Sequence, residues 1–537
     1  MHVDLFVITS GLFLFSLITN LISWLRLLED KNYDLKRLFF HLKETRKGRS
    51  IFFGAGSILK WGLIFLYSST ITYDKFDPIY HAIVFVFYLI LALSNLIKIY
   101  NRNLELPSIS VNTISIILFA IFAEVILMLF SPLDQFLWLL IIDKLLFIFI
   151  IFSVLFLSVF FDFSSDLLIN RASERMQESK KLFPIAVVGS YGRGSTKEFT
   201  ARILSLKFKV LSTKDSFNNA TGIARTVISD LTPSKQIFIA EMDDYKMHDI
   251  GEMMAFISPK ISVVCGINSQ KMSYFQKIDN IVNSKFEAVE FLPKDGVAIF
   301  NGDSEYCRAL FDRTTNKKFI YSAEAGNDLS GIKAYGISEN KYSLSFSVSM
   351  FGKKYKIGNV KLLGKHNIEN LLPAIFIGIY MGIDFALIRK LLQEVKPLPG
   401  AMEPKVHKNG ASLINDTYNA NINSVLSALS YMKLYKGKKI LVLEPLLELG
   451  GSAASEHESL GKEIGKVCDY VFLTNNNYFK SITKGIKEAR SSCKCIIESP
   501  AGIIKFVNKN VKREDVVVFE GRQARLSLVA LPASPVY

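Results

Sequence analysis

The sequence predicts a chain built in two styles: an N-terminal helical transmembrane bundle, then an α/β half with two parallel-sheet domains. Three observations predict it. Half of the 537 residues are hydrophobic and mean hydropathy is positive, yet the apolar residues crowd into long runs before about Phe161. From Pro184 the runs shorten, become β-branched and alternate with helix-like segments, the pattern of a parallel sheet with helices on both faces. At Lys396–Gly400 the stretch Lys-Pro-Leu-Pro-Gly breaks that alternation, and a second series follows. The expected domains are residues 1–165, 180–396 and 397–537.

In the first part five runs are long enough to cross a bilayer, which takes about 20 residues each. They are Leu5–Leu25, Ile51–Tyr73, Ile79–Tyr100, Val111–Phe130 and Phe136–Phe161. The first lacks a basic n-region and an A-x-A-like site, so it is expected to be retained and not cleaved. Eight Lys and Arg residues lie between Arg26 and Arg49, which puts that loop on the cytoplasmic side and the N-terminus outside. Lys98 and Arg102 after the third run, and Arg171, Arg175, Lys180 and Lys181 after the fifth, fall on the same inner side, with Asp74–Asp77 outside. Everything after Phe161 is then cytoplasmic, at a bacterial-type inner membrane.

Lys60, Glu124, Asp143 and Lys144 lie within or beside the apolar runs, where charge is costly. They read as a headgroup or substrate site, or as helix-to-helix pairs, Lys60 with Asp143 or Glu124 with Lys144. Pairing is the simpler reading. The formal net charge of +15 is accounted for by basic residues flanking apolar runs, and no aromatic-and-basic nucleic-acid motif accompanies it. Cys265, Cys307, Cys468, Cys493 and Cys495 form no CxxC pair, which argues for reduced thiols and against a disulfide framework or a zinc site.

In the second part, strands are expected at Ile185–Val188, Gln236–Ala240, Ile261–Cys265 and Val297–Asn301. After the linker they are expected at Ser412–Ile414, Lys439–Leu443, Tyr470–Leu473, Lys494–Ile497 and Val516–Phe519. The first strand runs into the stretch Ile185–Lys197, IAVVGSYGRGSTK, with a helix expected from Ser195. A strand, a glycine turn and a helix N-terminus suit a phosphate, because glycine lets the backbone approach and the exposed N–H groups face the anion. A phosphate loop normally continues with Lys and then Ser or Thr. Here Gly192 is followed by Arg193 and Gly194.

Several motifs in this order resemble the Mur ligases, above all the branch that adds a D-Ala-D-Ala dipeptide and membrane-anchored relatives of it. Gly189, Ser190, Gly192, Arg193, Gly194, Ser195 and Thr196 stand at the family's phosphate loop. Asn218, Asn219 and Thr221, within Asn218-Asn219-Ala-Thr-Gly222, are similar to an acceptor-side segment. Glu241 matches a magnesium-binding Glu, and Lys285 a lysine that becomes carbamylated and then binds metal. Gly364-Lys-His366-Asn367-Ile-Glu-Asn370 resembles the segment that meets adenine. Asn415-Asp416-Thr-Tyr418-Asn419-Ala-Asn421 resembles the segment that brings the C-terminal domain to the nucleotide. Glu448-Leu-Gly450, His457 and Glu520-Gly-Arg522 complete the series.

The resemblance implies a P-loop ATPase-like central domain, a Rossmann-like C-terminal domain, and ATP and Mg²⁺ as cofactors. It implies that a carboxylate and ATP form an acyl-phosphate that an amine attacks, with Lys285, Glu241 and Arg193 as catalytic residues. Asp416 would hold the ribose and Asn370 the adenine. Read alone, Glu241 is also a solvated strand end, Lys285 a surface lysine, His366 and Asn367 helix caps, and Asp416 and Asn419 turn formers. His457 reads as structural.

Four positions depart from the family on one side of the reaction. Arg193 replaces a lysine, Gly194 a hydroxyl, Lys271 an expected metal-binding histidine, and Ala401 an arginine. Two functions stay open: an active ligase with a rearranged phosphate site, Ser195 or Thr196 supplying the hydroxyl, or a pseudoenzyme that binds or scaffolds wall precursors. A transporter is disfavoured by the missing internal repeat and by the lack of a Walker-B-like apolar run ending in paired acids. No N-terminal UDP-sugar domain is expected, which points to a lipid-linked or other membrane-surface acceptor. Protein partners are not readable.

Overall fold

The structure is a computed structural model. It describes residues 2–31, 33–44, 48, 53–70, 77–100, 104, 106–129, 134–214, 217–324 and 331–536. Arg46, Lys47, Arg49, Asp74 and Arg102, used above for topology, lie outside the described residues. The chain divides into Met1–Asp166 and Leu167–Tyr537.

The first unit is helical: α1 (His2–Asp30), α2 (Leu35–Glu44), α3 (Ala55–Thr70), α4 (Asp77–Tyr100), α5 (Val111–Leu129) and α6 (Gln135–Glu178), the last running on into the second unit. Three of the five expected spans are helices long and apolar enough to cross a membrane: Asp4–Glu29, Pro78–Tyr100 and Gln135–Glu178. Among the described residues, the other two contain the shorter apolar helices Ala55–Tyr67 and Val111–Ile126. Inside, Trp24, Leu28, Tyr88, Leu140 and Ile150 are buried, while Leu14, Phe65, Ile90, Phe122, Phe152 and Val159 stay exposed. Lys60 pairs with Asp143, which also accepts from the Tyr88 hydroxyl at 3.3 Å. The alternative pairing is corrected: Lys144 Nζ donates to Ser57 Oγ, and Glu124 Oε1 is buried with no hydrogen-bond partner among the described residues.

The second unit holds two sheets. The first runs β1 (Phe183–Val188), β2 (Val210–Ser212), β3 (Ile237–Glu241), β4 (Ile261–Val264), β5 (Val297–Asn301), β6 (Lys317–Ser322), β7 (Gly331–Glu339), β8 (Leu344–Met350) and β9 (Lys353–Val360). Their spatial order is β2-β3-β1-β4-β5-β6-β7-β8-β9, parallel as far as β7 and then an antiparallel meander. Successive residues of β1 show why both faces need cover. Ile185 and Val187 join one core with Phe199, Ile203 and Ile375, whereas Ala186 and Val188 join another with Ile223, Met254 and Phe286. Strands buried on both faces read as continuous apolar runs, which is how these were visible. The helices concerned are α7 (Arg193–Leu204), α8 (Ala220–Asp230), α9 (Asp249–Ile257), α10 (Met272–Phe275), α11 (Ile278–Glu290), α12 (Glu305–Arg313), α13 (His366–Tyr380) and α14 (Phe385–Glu394). The end of α6 packs here too: Ala172 and Met176 lie in the second core, and Arg175 donates to the carbonyls of Ile228 and Leu231.

The C-terminal sheet consists of β10 (Glu403–His407), β11 (Ser412–Asp416), β12 (Lys439–Leu443), β13 (Tyr470–Leu473), β14 (Lys494–Ile497), β15 (Val516–Glu520) and β16 (Ala533–Pro535). Its order is β14-β13-β12-β15-β11-β10-β16, with a parallel centre and antiparallel pairings at β10. Helices α15 (Ile422–Met432), α16 (Ala453–Val467), α17 (Phe479–Glu488), α18 (Pro500–Asn510) and α19 (Arg525–Val529) flank it.

In the first sheet β1 lies between β3 and β4, with Val187 level with Glu241 and Val188 level with Val264. The loops that leave these three strands therefore emerge side by side. The order reverses at β1, and open parallel sheets bind ligands at the carboxyl ends of strands where this happens.

Candidate active site

The loop after β1 needs its glycines. Gly189 has φ +145° and Gly192 has φ +80°, and a Cβ at Gly192 would lie 2.6 Å from Asn370 Oδ1. The left-handed turn at Gly192 lets α7 begin at Arg193, two residues before the expected Ser195. Ser190 N and Tyr191 N donate to the Gly266 carbonyl at 2.7 and 3.3 Å, which ties the loop to the end of β4. Ser190 Oγ is buried and has no hydrogen-bond partner among the described residues. Thr196 is fully buried, and its hydroxyl lies 3.6 Å from Cys265 Sγ. Ser195 is half-buried in the first turn of α7.

Behind the loop sits a dense set of buried charges. Arg193 Nη1 donates to the Gly189 carbonyl and to Asp243 Oδ1, 2.5 Å away. Lys271 Nζ donates to the same Asp243 oxygen at 2.5 Å and to the Asp244 carbonyl at 2.7 Å, over the Tyr245 ring at 3.9 Å. Lys285 Nζ lies 2.5 Å from Asp244 Oδ1, and Ser284 Oγ donates to Asp244 Oδ2 at 2.6 Å. Glu241 is buried at the end of β3. Its carboxylate lies 3.5 Å from Lys197 Nζ and 3.8 Å from Arg193 Nε, and Asn218 Nδ2 donates to it at 3.4 Å. Gly194 faces Glu241, since a Cβ there would lie 3.6 Å from Oε2.

Burial works against the charged form of each of these groups, and neighbours decide the outcome. Burial raises the Asp243 pKa, but Arg193, Lys271 and Lys285 overcome it and hold the carboxyl below its ordinary range. Arg193 is desolvated yet pushed up by Asp243, Glu241 and Asp244. For Lys285 burial prevails and lowers the pKa, even against Asp244 and Asp243.

The other expected residues fall at two further places. Asn370 approaches the loop directly, as the Gly192 contact shows. Asn367 is buried, with its amide nitrogen donating to the Leu363 carbonyl at 2.7 Å, and burial pushes His366 down to about 4. In the C-terminal domain Asp416 accepts from Met402 N at 3.2 Å and stands level with Glu520 across β11 and β15. Asn419 is exposed, and Ala401 sits in the turn that precedes β10. Asn219 caps α8, its side chain accepting from Gly222 N at 2.8 Å, and Thr221 is half-buried in that first turn. His457 accepts from Leu446 N through Nε2 at 2.9 Å and contacts the Ala453 carbonyl through Nδ1, a structural position.

The two sheets of this unit meet around residues 268–275. Asn268 donates to Asn423, Ser269 to Glu456, and Tyr274 to Glu448, while Ser273 N donates to the Glu448 carbonyl.

Sequence reasoning missed Asp243, Asp244 and Lys197. The first two carried a signal: Ile237–Ala240 is an apolar run that ends in Glu241 and the paired acids Asp243-Asp244. The expectation that no such run exists is therefore corrected. Met242 inside it hides the pattern.

For a Mg²⁺ ion, which takes near-octahedral oxygen ligands, the residues present do not fit. Asp243 and Asp244 are already bonded by Arg193, Lys271 and Lys285, and Gly194 offers no oxygen. A carbamate on Lys285 would set a second anion against Asp244. Among the described residues no group of three His, Cys, Asp or Glu is arranged to hold a metal.

Comparison with known proteins gives this arrangement a family. Residues 187–378 match the Mur ligase middle domain, and residues 402–523 the glutamate ligase domain of the Mur ligases. The UDP-N-acetylmuramoyl-tripeptide–D-alanyl-D-alanine ligase of Bacillus subtilis is 27% identical over 340 residues, 63% of this chain and 72% of that protein. The Escherichia coli protein of the same name is 27% identical over 52% of this chain and 61% of its own length. Among solved structures, MurF from Acinetobacter baumannii superposes with a TM-score of 0.62 at 21% identity, covering 68% of this chain and 79% of that one. MurF from Thermotoga maritima in complex with ADP does so with 0.59 at 21% identity, covering 68% and 83%. The two matched domains together span more than half of the 537 residues, and the chain belongs to the Mur ligase family.

Proposed function

We propose that residues 167–537 bind ATP and couple its cleavage to amide-bond formation in the making of a peptidoglycan precursor. One observation carries this reading. The glycine loop and the segment that resembles an adenine contact, 178 residues apart, meet where Gly192 faces Asn370 at the switch point of the sheet. In the reaction a substrate carboxylate oxygen attacks the γ-phosphorus and ADP leaves. An amine then attacks the acyl carbon, and phosphate leaves. The loop and the N-terminus of α7 suit the phosphates, Arg193 supplies a permanent cation within the loop, and Asn370 suits the base. The names of the relatives support a muramoyl-peptide acceptor and a D-alanyl-D-alanine donor.

The finer reading sets this reaction at the inner face of a membrane. Three long apolar helices, an apolar exterior and basic flanking residues support it. A lipid-linked acceptor follows from that setting. The second reading, a binding-only subunit, draws no support from the relatives, which are named as ligases. It is favoured by Arg193 folding back onto the Gly189 carbonyl and Asp243, so that the chain itself fills its loop.

ADP release by the full chain in lipid nanodiscs separates them. ATP and D-alanyl-D-alanine are supplied with either UDP-linked muramoyl tripeptide or its lipid-linked form. Acceptor-dependent ADP release, reduced about a hundredfold by Arg193→Ala, is expected of a ligase. ATP binding without any such release would favour the binding subunit, and no ATP binding would remove both.

A further inference from the structure

We propose that the Lys271 ammonium is a built-in substitute for a divalent cation, so that this site takes a nucleotide polyphosphate free of metal. The inference rests on the reading that the site takes ATP.

The first argument is who holds the carboxylates. Lys271 Nζ is bounded by Asp243 Oδ1 at 2.5 Å, the Asp244 carbonyl at 2.7 Å, Asp244 Oδ1 at 3.9 Å and the face of Tyr245 at 3.9 Å. Two oxygens lie at hydrogen-bond distance from the ammonium, and a third oxygen and a π-face lie further out. The second argument is charge. Arg193, Lys197, Lys271 and Lys285 stand against Glu241, Asp243, Asp244 and Glu198, the last 3.3 Å from Lys197. The set is balanced as it is. A divalent ion would have to displace an ammonium or sit beside one in a buried setting where like charges repel strongly.

The third argument is redundancy. Asp243 Oδ1 has two cations at 2.5 Å, Arg193 and Lys271, and a third, Lys285, at 3.7 Å. Arg193 can turn to a phosphate and leave Asp243 neutralised by Lys271. The guanidinium has five donors, of which Nη1 serves Gly189 and Asp243, while the Lys271 ammonium is surrounded. Ser190 Oγ, buried in the loop with no hydrogen-bond partner among the described residues, offers a further donor. Lys271 also holds φ +73°, an uncommon conformation for a residue with a side chain. Its segment is fixed from the C-terminal domain by Ser273 N bonding the Glu448 carbonyl at 3.0 Å.

The test uses the full chain in nanodiscs and two probes. Calorimetry measures ATP affinity in EDTA and in excess Mg²⁺, and electron paramagnetic resonance measures uptake of Mn²⁺ alone. We expect ATP affinities within about threefold of each other and no saturable Mn²⁺ uptake. Lys271→Met should weaken ATP binding in EDTA tenfold or more and regain most of it with Mg²⁺, a rescue that a merely structural lysine would not show. Lys271→Arg, which keeps the charge, should bind ATP without metal, and it serves if the Met variant does not fold. An ATP affinity at least tenfold weaker in EDTA, or stoichiometric Mn²⁺ uptake by the unaltered chain, would overturn the substitution and leave the nucleotide reading standing. Absence of ATP binding in both conditions would overturn the nucleotide reading, and the inference with it.

Discussion

Two pairs of buried acids end strands in the same half of this protein, and they behave oppositely. Asp243 and Asp244 follow β3 and are met by Arg193, Lys271 and Lys285 at 2.5 Å. Asp416 and Glu520 end the adjacent strands β11 and β15, level with each other, and each is raised chiefly by burial. Burial, opposed by hydrogen bonds with Glu520 and Met402, pushes Asp416 up to about 6, and burial with the Asp416 charge pushes Glu520 well above its ordinary value. Asp243, just as deep, goes the other way. Depth therefore does not decide whether a carboxyl is charged; the cations within reach do. The first pair forms a fixed ionic cluster, and the second shares protons as a unit.

Breaking the ionic cluster should cost most. Asp244→Ala leaves the fully buried Lys285 without its closest partner, and removing one member of a buried pair costs about 3–5 kcal/mol. Denaturant unfolding of the full chain checks it. A loss under about 1 kcal/mol would mean that Lys285 is not held as an ammonium. Asp244→Leu combined with Lys285→Met should recover much of the loss, because an apolar pair replaces an ionic one.

The uncompensated pair should show itself through pH. The folded pKa of Asp416 lies above its unfolded value, so the folded state binds the extra proton. Stability therefore rises as pH falls through about 6, and is reduced at pH 8. Melting of the C-terminal domain should shift upward from pH 8 to pH 5, by an amount worth about 1 kcal/mol or more. Asp243 has the opposite sign: its contribution is present above its unfolded pKa and is lost only at more acid pH, as the folded pKa is crossed. Glu520→Gln should flatten the rise between pH 8 and 5 while altering stability at pH 5 by less than about 0.5 kcal/mol, since it replaces a group already neutral. An unchanged slope would show that the two carboxyls do not titrate together.

The smallest effect sorts capping from substrate contact. Asn219→Ala should cost about 1 kcal/mol through the lost cap of α8, with KM little changed. A tenfold rise in KM with that modest loss would restore Asn219 as an acceptor-side residue.

Much of the fold was legible because parallel strands buried on both faces stand out as apolar runs, and eight of them, with the half-exposed edge strand β14, were placed within a residue or two. The meander β7–β9 was less legible. Leu344–Met350 alternates buried and half-buried residues, a period-2 pattern that a search for continuous runs passes over. Of the expected runs Ile51–Tyr73 and Val111–Phe130, the described residues form the helices Ala55–Thr70 and Val111–Leu129.

The sequence by itself determined the loop after β1, its glycines, the order of the family's segments and the four departures from them. These are local properties of residue type and spacing. Only the tertiary structure decided what the departures do together. Arg193 is far in the chain from Lys271 and Lys285, and they become one site around Asp243 and Asp244 only because β1, β3 and β4 end side by side. The sign of a buried charge depends on its neighbours in space, and those neighbours are set by the sheet.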